Sequence, residues 1–298
     1  MAHLLHDFKY LFSGTFKGTE LALSNKQLNP LDIYELTIGN DICSGNFLPI
    51  KWVKVNKLRR SYQNIAKTAI EVDNVNVLDY LWKDIQIDVE YPIVCGSLAC
   101  LKYVHSKGCS WDREICDTAS FYGHLDCLIY LHKQGCGLDK ECFYNAAASG
   151  HLHIVQYLHD QGCEWDEFVC GYAAFNGRLS ILQYLHENGC PWNEDTCYAA
   201  ASNGRLDCLI YAHENRCPWD EDTCTKAAAS GHLDCLRYAH ERGCRWNVRT
   251  CELAAKGGHL YCLKYVIENG CRWTKQLCYL SRHPEIVDYL TEQGLCLS

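Results

Sequence analysis

Twenty-two cysteines and 14 histidines stand in this chain of 298 residues. Those residue types invite two chemistries: zinc held by thiolates and imidazoles, or a thiolate nucleophile activated by a neighbouring base. Structural zinc sites usually present closely spaced ligand pairs such as C-x2-C, and the sequence contains none. His124 with Cys127, His232 with Cys235 and His259 with Cys262 stand three apart, on one face of any helix that carries them. Arginine takes the place of that histidine at Arg178 and Arg205, which favours a turn residue bonded to a neighbouring loop over a ligand. Catalysis needs one nucleophile in a singular environment with a base and an orienting group. These cysteines and histidines recur instead at a fixed interval, and a duplicated environment distinguishes no single residue. The sequence therefore reads as non-enzymatic, with no cofactor, no metal and no Gly-rich phosphate loop.

The interval is 27 residues. CPWNEDTCYAAASNG at Cys190 to Gly204 returns as CPWDEDTCTKAAASG at Cys217 to Gly231. Trp111, Trp165, Trp192, Trp219, Trp246 and Trp273 share one column, with Leu138 in the single gap. Tyrosines from Tyr103 to Tyr265, glycines from Gly123 to Gly258 and cysteines from Cys109 to Cys271 form three more. A fixed period of this length is the signature of a repeat architecture. Within the cysteine columns Cys208 exchanges with Ile154 and Ile181, and Cys197 with Phe143, so the columns require an apolar filler, which a thiol supplies.

In each unit a short helix is expected from about Asp195, with Asp195 or Thr196 accepting the free N–H groups of its first turn. Gly204 takes φ > 0 and ends it, and a second helix, RLDCLIYAHEN, follows from Arg205. Leu206, Cys208, Leu209, Tyr211 and Ala212 cover more than one stripe of that helix, so one pair cannot bury its own apolar surface. Stacked pairs can, in a solenoid where each unit meets chiefly its neighbours. The tryptophans are expected to pack as a ladder along one edge. The late histidines, from His105 to His240, are expected to meet the carbonyls that end the second helix.

The unit resembles the ankyrin repeat through Ala200, Ala201, Gly204, Leu206, Leu209 and Ala212, with His124, His151, His232 and His259 as the histidine of its G-H pair. The resemblance runs from about residue 64 to the end. It departs where Asp195-Thr196-Cys197-Tyr198 replaces the T-P-L-H tetrapeptide. The unit is also shorter than the usual repeat of about 33 residues, the missing part being the β-hairpin finger. The implied fold is an all-α, ankyrin-like helical-repeat solenoid with short connections lacking those fingers. Cysteine- and tryptophan-rich repeats of this short type resemble those in ankyrin proteins of giant DNA viruses of amoebae.

The organisation read from the sequence is a non-repeat segment, residues 1–60, as an N-terminal cap or docking element. A repeat domain of about eight helix pairs, residues 61–298, follows with degenerate ends. A formal charge of −8 repels phosphate backbones, and no stretch approaches the roughly 18 apolar residues of a membrane span. The expected setting is the cytoplasm, that of a host cell if the viral likeness holds. The expected partner of a monomeric scaffold is another protein, a host protein in that case, and neither nucleic acid nor membrane. Ankyrin resemblance places the first helix of each pair on the inner, concave surface. Phe121, Tyr122, Tyr144, Tyr172, Phe175, Asn176 and Tyr198 are the candidate partner-binding residues, since aromatic anchors bury much area at small entropic cost. Alternative readings are a substrate adaptor recruiting a ubiquitin ligase through residues 1–60, and a metal- or redox-responsive protein.

Overall fold

The structure, a computed structural model, describes residues 59–274 and 276–294. The segment read as a cap or docking element thus falls almost wholly outside the described residues. Among them no strand occurs, and no helix is long and apolar enough to cross a membrane. The chain divides into two compact units at Cys136 and Gly137. Among the described residues the first holds three helix pairs: α1 (Arg59–Glu71) with α2 (Val75–Leu81), α3 (Glu90–Val94) with α4 (Leu98–Ser106), and α5 (Ile115–Tyr122) with α6 (Leu125–Lys133). The second holds six. They are α7 (Lys140–Ser149) with α8 (Leu152–Asp160), α9 (Glu167–Phe175) with α10 (Leu179–Glu187), and α11 (Glu194–Ser202) with α12 (Leu206–Glu214). Then come α13 (Glu221–Ala229) with α14 (Leu233–Glu241), α15 (Val248–Gly257) with α16 (Leu260–Glu268), and α17 (Leu277–Leu280) with α18 (Pro284–Glu292).

Within each unit a first helix packs on its own second helix and on the next first helix, while second helices pack on second helices. That nearest-neighbour pattern is the solenoid anticipated from the period. Each second helix buries a triplet such as Cys208, Leu209 and Ala212, and burying one leucine contributes about 2 kcal/mol.

Five of the first helices, α7, α9, α11, α13 and α15, are capped two or three residues earlier than the sequence suggested. Their N-caps are Asp139, Asp166, Asn193, Asp220 and Asn247, each accepting from the backbone N–H two residues on. Asp195 lies inside the first turn rather than capping it, and Thr196 is fully buried. An extended Asn or Asp directly after tryptophan can reach forward to the second helical N–H, which a residue already in helical conformation cannot. This leaves the hydroxyls of Thr196 and Thr223 buried with no hydrogen-bond partner. Thr250, in the same column, instead completes a capping box with Asn247 and bonds Thr225 Oγ1 at 2.9 Å. Val169 occupies that column in α9. Thr196→Val is therefore expected to raise stability by about 1 kcal/mol, and Thr250→Val to lower it by a similar amount. Urea denaturation of the two variants checks the opposite signs.

The glycine that ends each first helix does more than permit a left-handed turn. At Gly204, φ is 65°, and an added Cβ would lie 2.6 Å from Nδ1 of His232 in the next pair. At Gly177 the Arg205 side chain occupies the corresponding place, 2.8 Å away. These side chains reach back to the preceding loop as expected: His124 Nε2 donates to the Val94 carbonyl at 3.0 Å, and Arg178 Nε to that of Ala148 at 3.1 Å. The first pair reverses the arrangement. Asp73 takes the glycine position at φ 52°, and its carboxylate accepts from the N–H groups of Ala99 and Cys100 at the start of α4. Ser97, in the histidine column, donates its hydroxyl to the Ile70 carbonyl.

Candidate functional site

The histidines late in the second helices do not meet terminal carbonyls. Their Nδ1 atoms are hydrogen-bonded to the tyrosine hydroxyl one pair further on: His105 with Tyr130 at 2.8 Å, His186 with Tyr211 at 2.9 Å, and His213 with Tyr238 and His240 with Tyr265 at 3.0 Å. His159, His186, His213 and His240 also stack on the tryptophan that follows each, with centroids 3.9 Å apart for His213 and Trp219 and 3.6 Å for His240 and Trp246, whereas His105 is tilted at 44° to Trp111. The tryptophan edge then meets the same tyrosine, 6.3 Å away for Trp219 and Tyr238. The expected ladder of indoles is in fact a run of His–Trp–Tyr clusters, with the indoles half-buried. Terminal carbonyls lose the competition because backbone N–H groups just past the helix already bond them, as that of Asn215 does with Tyr211 and that of Arg216 with His213. Imidazoles held between an indole and a phenol are positioned by packing.

Burial lowers the pKa of His213, helped by Arg242 and opposed by Glu214; burial also lowers that of His240, opposed by Glu241. A histidine whose folded pKa is depressed binds fewer protons folded than unfolded. Its contribution is complete above the unfolded value near 6.5 and declines as pH falls below it, levelling off beneath the depressed folded pKa. The urea midpoint is expected to fall between pH 7 and pH 5, and the His213→Asn, His240→Asn double variant to show a shallower fall.

The thiols form hydrogen-bonded pairs. Cys116 Sγ lies 2.8 Å from Cys136 Sγ, and Cys170, Cys197, Cys224 and Cys251 are each hydrogen-bonded to the cysteine twenty residues on. The second thiol in turn donates to the carbonyl of the preceding N-cap residue, as from Cys217 to Asn193 at 3.2 Å and from Cys244 to Asp220 at 3.0 Å. The column therefore carries a weak polar link in addition to the apolar filling read from sequence. Burial pushes the second-helix thiols up, Cys208 to about 11 and Cys235 to about 12, away from the thiolate that a nucleophile or metal ligand requires. Cys278 is disulfide-bonded.

What the first helices leave open is aromatic. In the first unit Phe121 and Tyr122, at the end of α5, are 49% and 44% exposed with their rings edge to face at 5.2 Å. In the second, Tyr172 and Phe175 on α9 are 44% and 48% exposed, whereas Tyr144, Asn176 and Tyr198 are half-buried. Tyr144 is fixed by its hydroxyl, which donates to Asp166 at 2.6 Å, and its ring lies 5.0 Å from that of Tyr172. Asn176 is turned inward to its own helix, donating to the Tyr172 carbonyl. Tyr198 carries Lys226 over its ring at 5.3 Å. Sequence reasoning missed Phe168, which is 50% exposed. Positions 168, 172 and 175 follow the i, i+4, i+7 spacing of one helical face, opposite buried Val169, Cys170, Ala173 and Ala174. That spacing was the available signal.

Residues 143–186 match the family model for ankyrin repeats in many copies. No curated protein matches the sequence. Among solved structures, the crystal structure of the human ASB11 ankyrin repeat domain is similar with a TM-score of 0.50 at 16% identity, covering 60% of this chain and 96% of that one. The fold is that of an ankyrin-repeat stack.

Proposed function

We propose, from the premise of an ankyrin-repeat fold, that this chain is a non-enzymatic scaffold that binds another protein on the exposed face of its first helices. Ankyrin-repeat folds serve generally as protein-interaction scaffolds. The observation that carries the reading is the face of α9, where Phe168, Tyr172 and Phe175 stand half-exposed beside a fully buried opposite face. Large apolar side chains held half-open on a rigid helix leave much of their area unburied by the stack, and aromatic anchors of this kind dominate binding energy at interfaces. The thiols and imidazoles, by contrast, are engaged in holding adjacent pairs together.

Affinity capture with the full chain, followed by mass spectrometry, tests this. Phe168→Ser, Tyr172→Ser and Phe175→Ser in combination are expected to leave the helical circular dichroism intact, with a stability change within about 0.5 kcal/mol per site, while the captured partner is lost. Retention of the same partner by the folded triple variant would sink the assignment of this face.

A further inference from the structure

Gly171 sits in the middle of α9, where alanine would favour the helix more. Its φ is not left-handed, and a Cβ built there would meet nothing within 4 Å. Neither backbone nor packing asks for glycine, in contrast to Gly204 or Gly177. The equivalent residues on the adjacent first helices are Tyr144 and Tyr198, so the missing side chain leaves a notch between two tyrosines, bordered on its own helix by Tyr172. One wall is fixed: Tyr144 is held by Asp166 and lies against Tyr172.

The notch has a sign. Helices α7, α9 and α11 carry one lysine, Lys140, against Glu141, Glu167, Glu194 and Asp195. Lys140 is engaged with Asp166 at 3.3 Å. Exposed Glu141 and Asp195 occupy, on the neighbouring helices, the register position that Phe168 holds on α9. Apolar rings with carboxylates on both sides select a side chain with an extended stem and a cationic head, which a planar guanidinium over a tyrosine face meets best. The charge pattern is local: on the next first helix, α13, Lys226 lies over the Tyr198 ring at 5.3 Å, and α15 carries Arg249 and Lys256.

Resting on the scaffold reading above, we infer that the gap over Gly171 receives an arginine side chain from an extended segment of the partner protein. The guanidinium lies over Tyr144 and Tyr172, in the field of Glu141 and Asp195, and the flanking apolar residues of the segment rest on Phe168 and Phe175.

Three fluorescent random-peptide libraries, with arginine, norleucine or glutamate fixed at the centre, test this on the full chain. The arginine library is expected to be retained above the other two, and to be released by salt. Gly171→Leu is expected to keep or raise the thermal midpoint while weakening retention at least about tenfold. Glu141→Gln with Asp195→Asn is expected to erase the preference for arginine. A fall in midpoint on Gly171→Ala would make the glycine structural and overturn the inference. So would arginine retention unchanged by Gly171→Leu, or equal retention of all three libraries. Peptide binding that is lost on Phe175→Ser but indifferent to charge and to Gly171 overturns the notch alone and leaves the first-helix face standing.

Discussion

Gly204→Ala is expected to lower the unfolding free energy by about 2–3 kcal/mol, although it adds a single methyl group. Two costs coincide there. The left-handed backbone at φ 65° places Cβ against the following carbonyl, at about 1–2 kcal/mol for any L-residue. The methyl would then stand 2.6 Å from the His232 ring, which must leave the place where it joins two pairs. Gly189 isolates the first cost, with φ 80° and no atom within 4 Å of a built Cβ, so Gly189→Ala is expected to lose only about 1 kcal/mol. Arg216 shows that a side chain is tolerated in that second column, at φ 67°. Urea midpoints of the two variants, at unchanged denaturant slope, measure the difference. Equal losses would mean that His232 moves aside freely, and the account of the junction would fail.

Trp219→Ala is expected to cost about 3 kcal/mol, at the lower end of large aromatic deletions because the indole is half-buried. The loss has two parts that can be separated. One is area against the body of the stack. The other is the cluster itself, where the indole stacks on His213 at an interplanar angle of 12° while His213 holds the Tyr238 hydroxyl. Removing the ring exposes one imidazole face and frees its orientation, so the His213–Tyr238 bond weakens too. A double-mutant cycle between Trp219 and His213 is expected to give a coupling of about 1 kcal/mol, and Tyr238→Phe alone a loss of about 1 kcal/mol. Additive single losses would show that the rings merely occupy adjacent space.

The helix pairs and their stacking were legible because the columns recur, and recurrence reports that a position is constrained. It does not report by what. His213 and Tyr238 are 25 residues apart, and Cys217 and Asn193 are 24. Contacts of that span depend on the rotation and rise between pairs, which no column of letters contains. The N-cap was misplaced by a local rule: Asp195 and Thr196 are capping types, but Asn193 is the residue that the tryptophan connection leaves extended. Of the candidate surface, Phe121, Tyr122, Tyr172 and Phe175 stand open, while Tyr144, Asn176 and Tyr198 are partly occupied by Asp166, a backbone carbonyl and Lys226. The aromatic identity of a free column is visible in sequence, but its side-chain partners are not. Gly171 was legible only as a letter, since its lack of neighbours is a fact about space.

The exchanged polarity of the first junction limits how such a chain can diversify. Where Gly204 meets His232, the later segment extends an arm into a hollow of the earlier one; where Asp73 meets Ala99 and Cys100, the earlier segment extends the arm and the short Ser97 keeps only its hydroxyl bond to Ile70. The inherited block is therefore the seam and not the 27-residue segment. Tandem copying of an interior segment regenerates matched seams automatically, whereas recombination across the Asp73 boundary succeeds only when both sides change in concert.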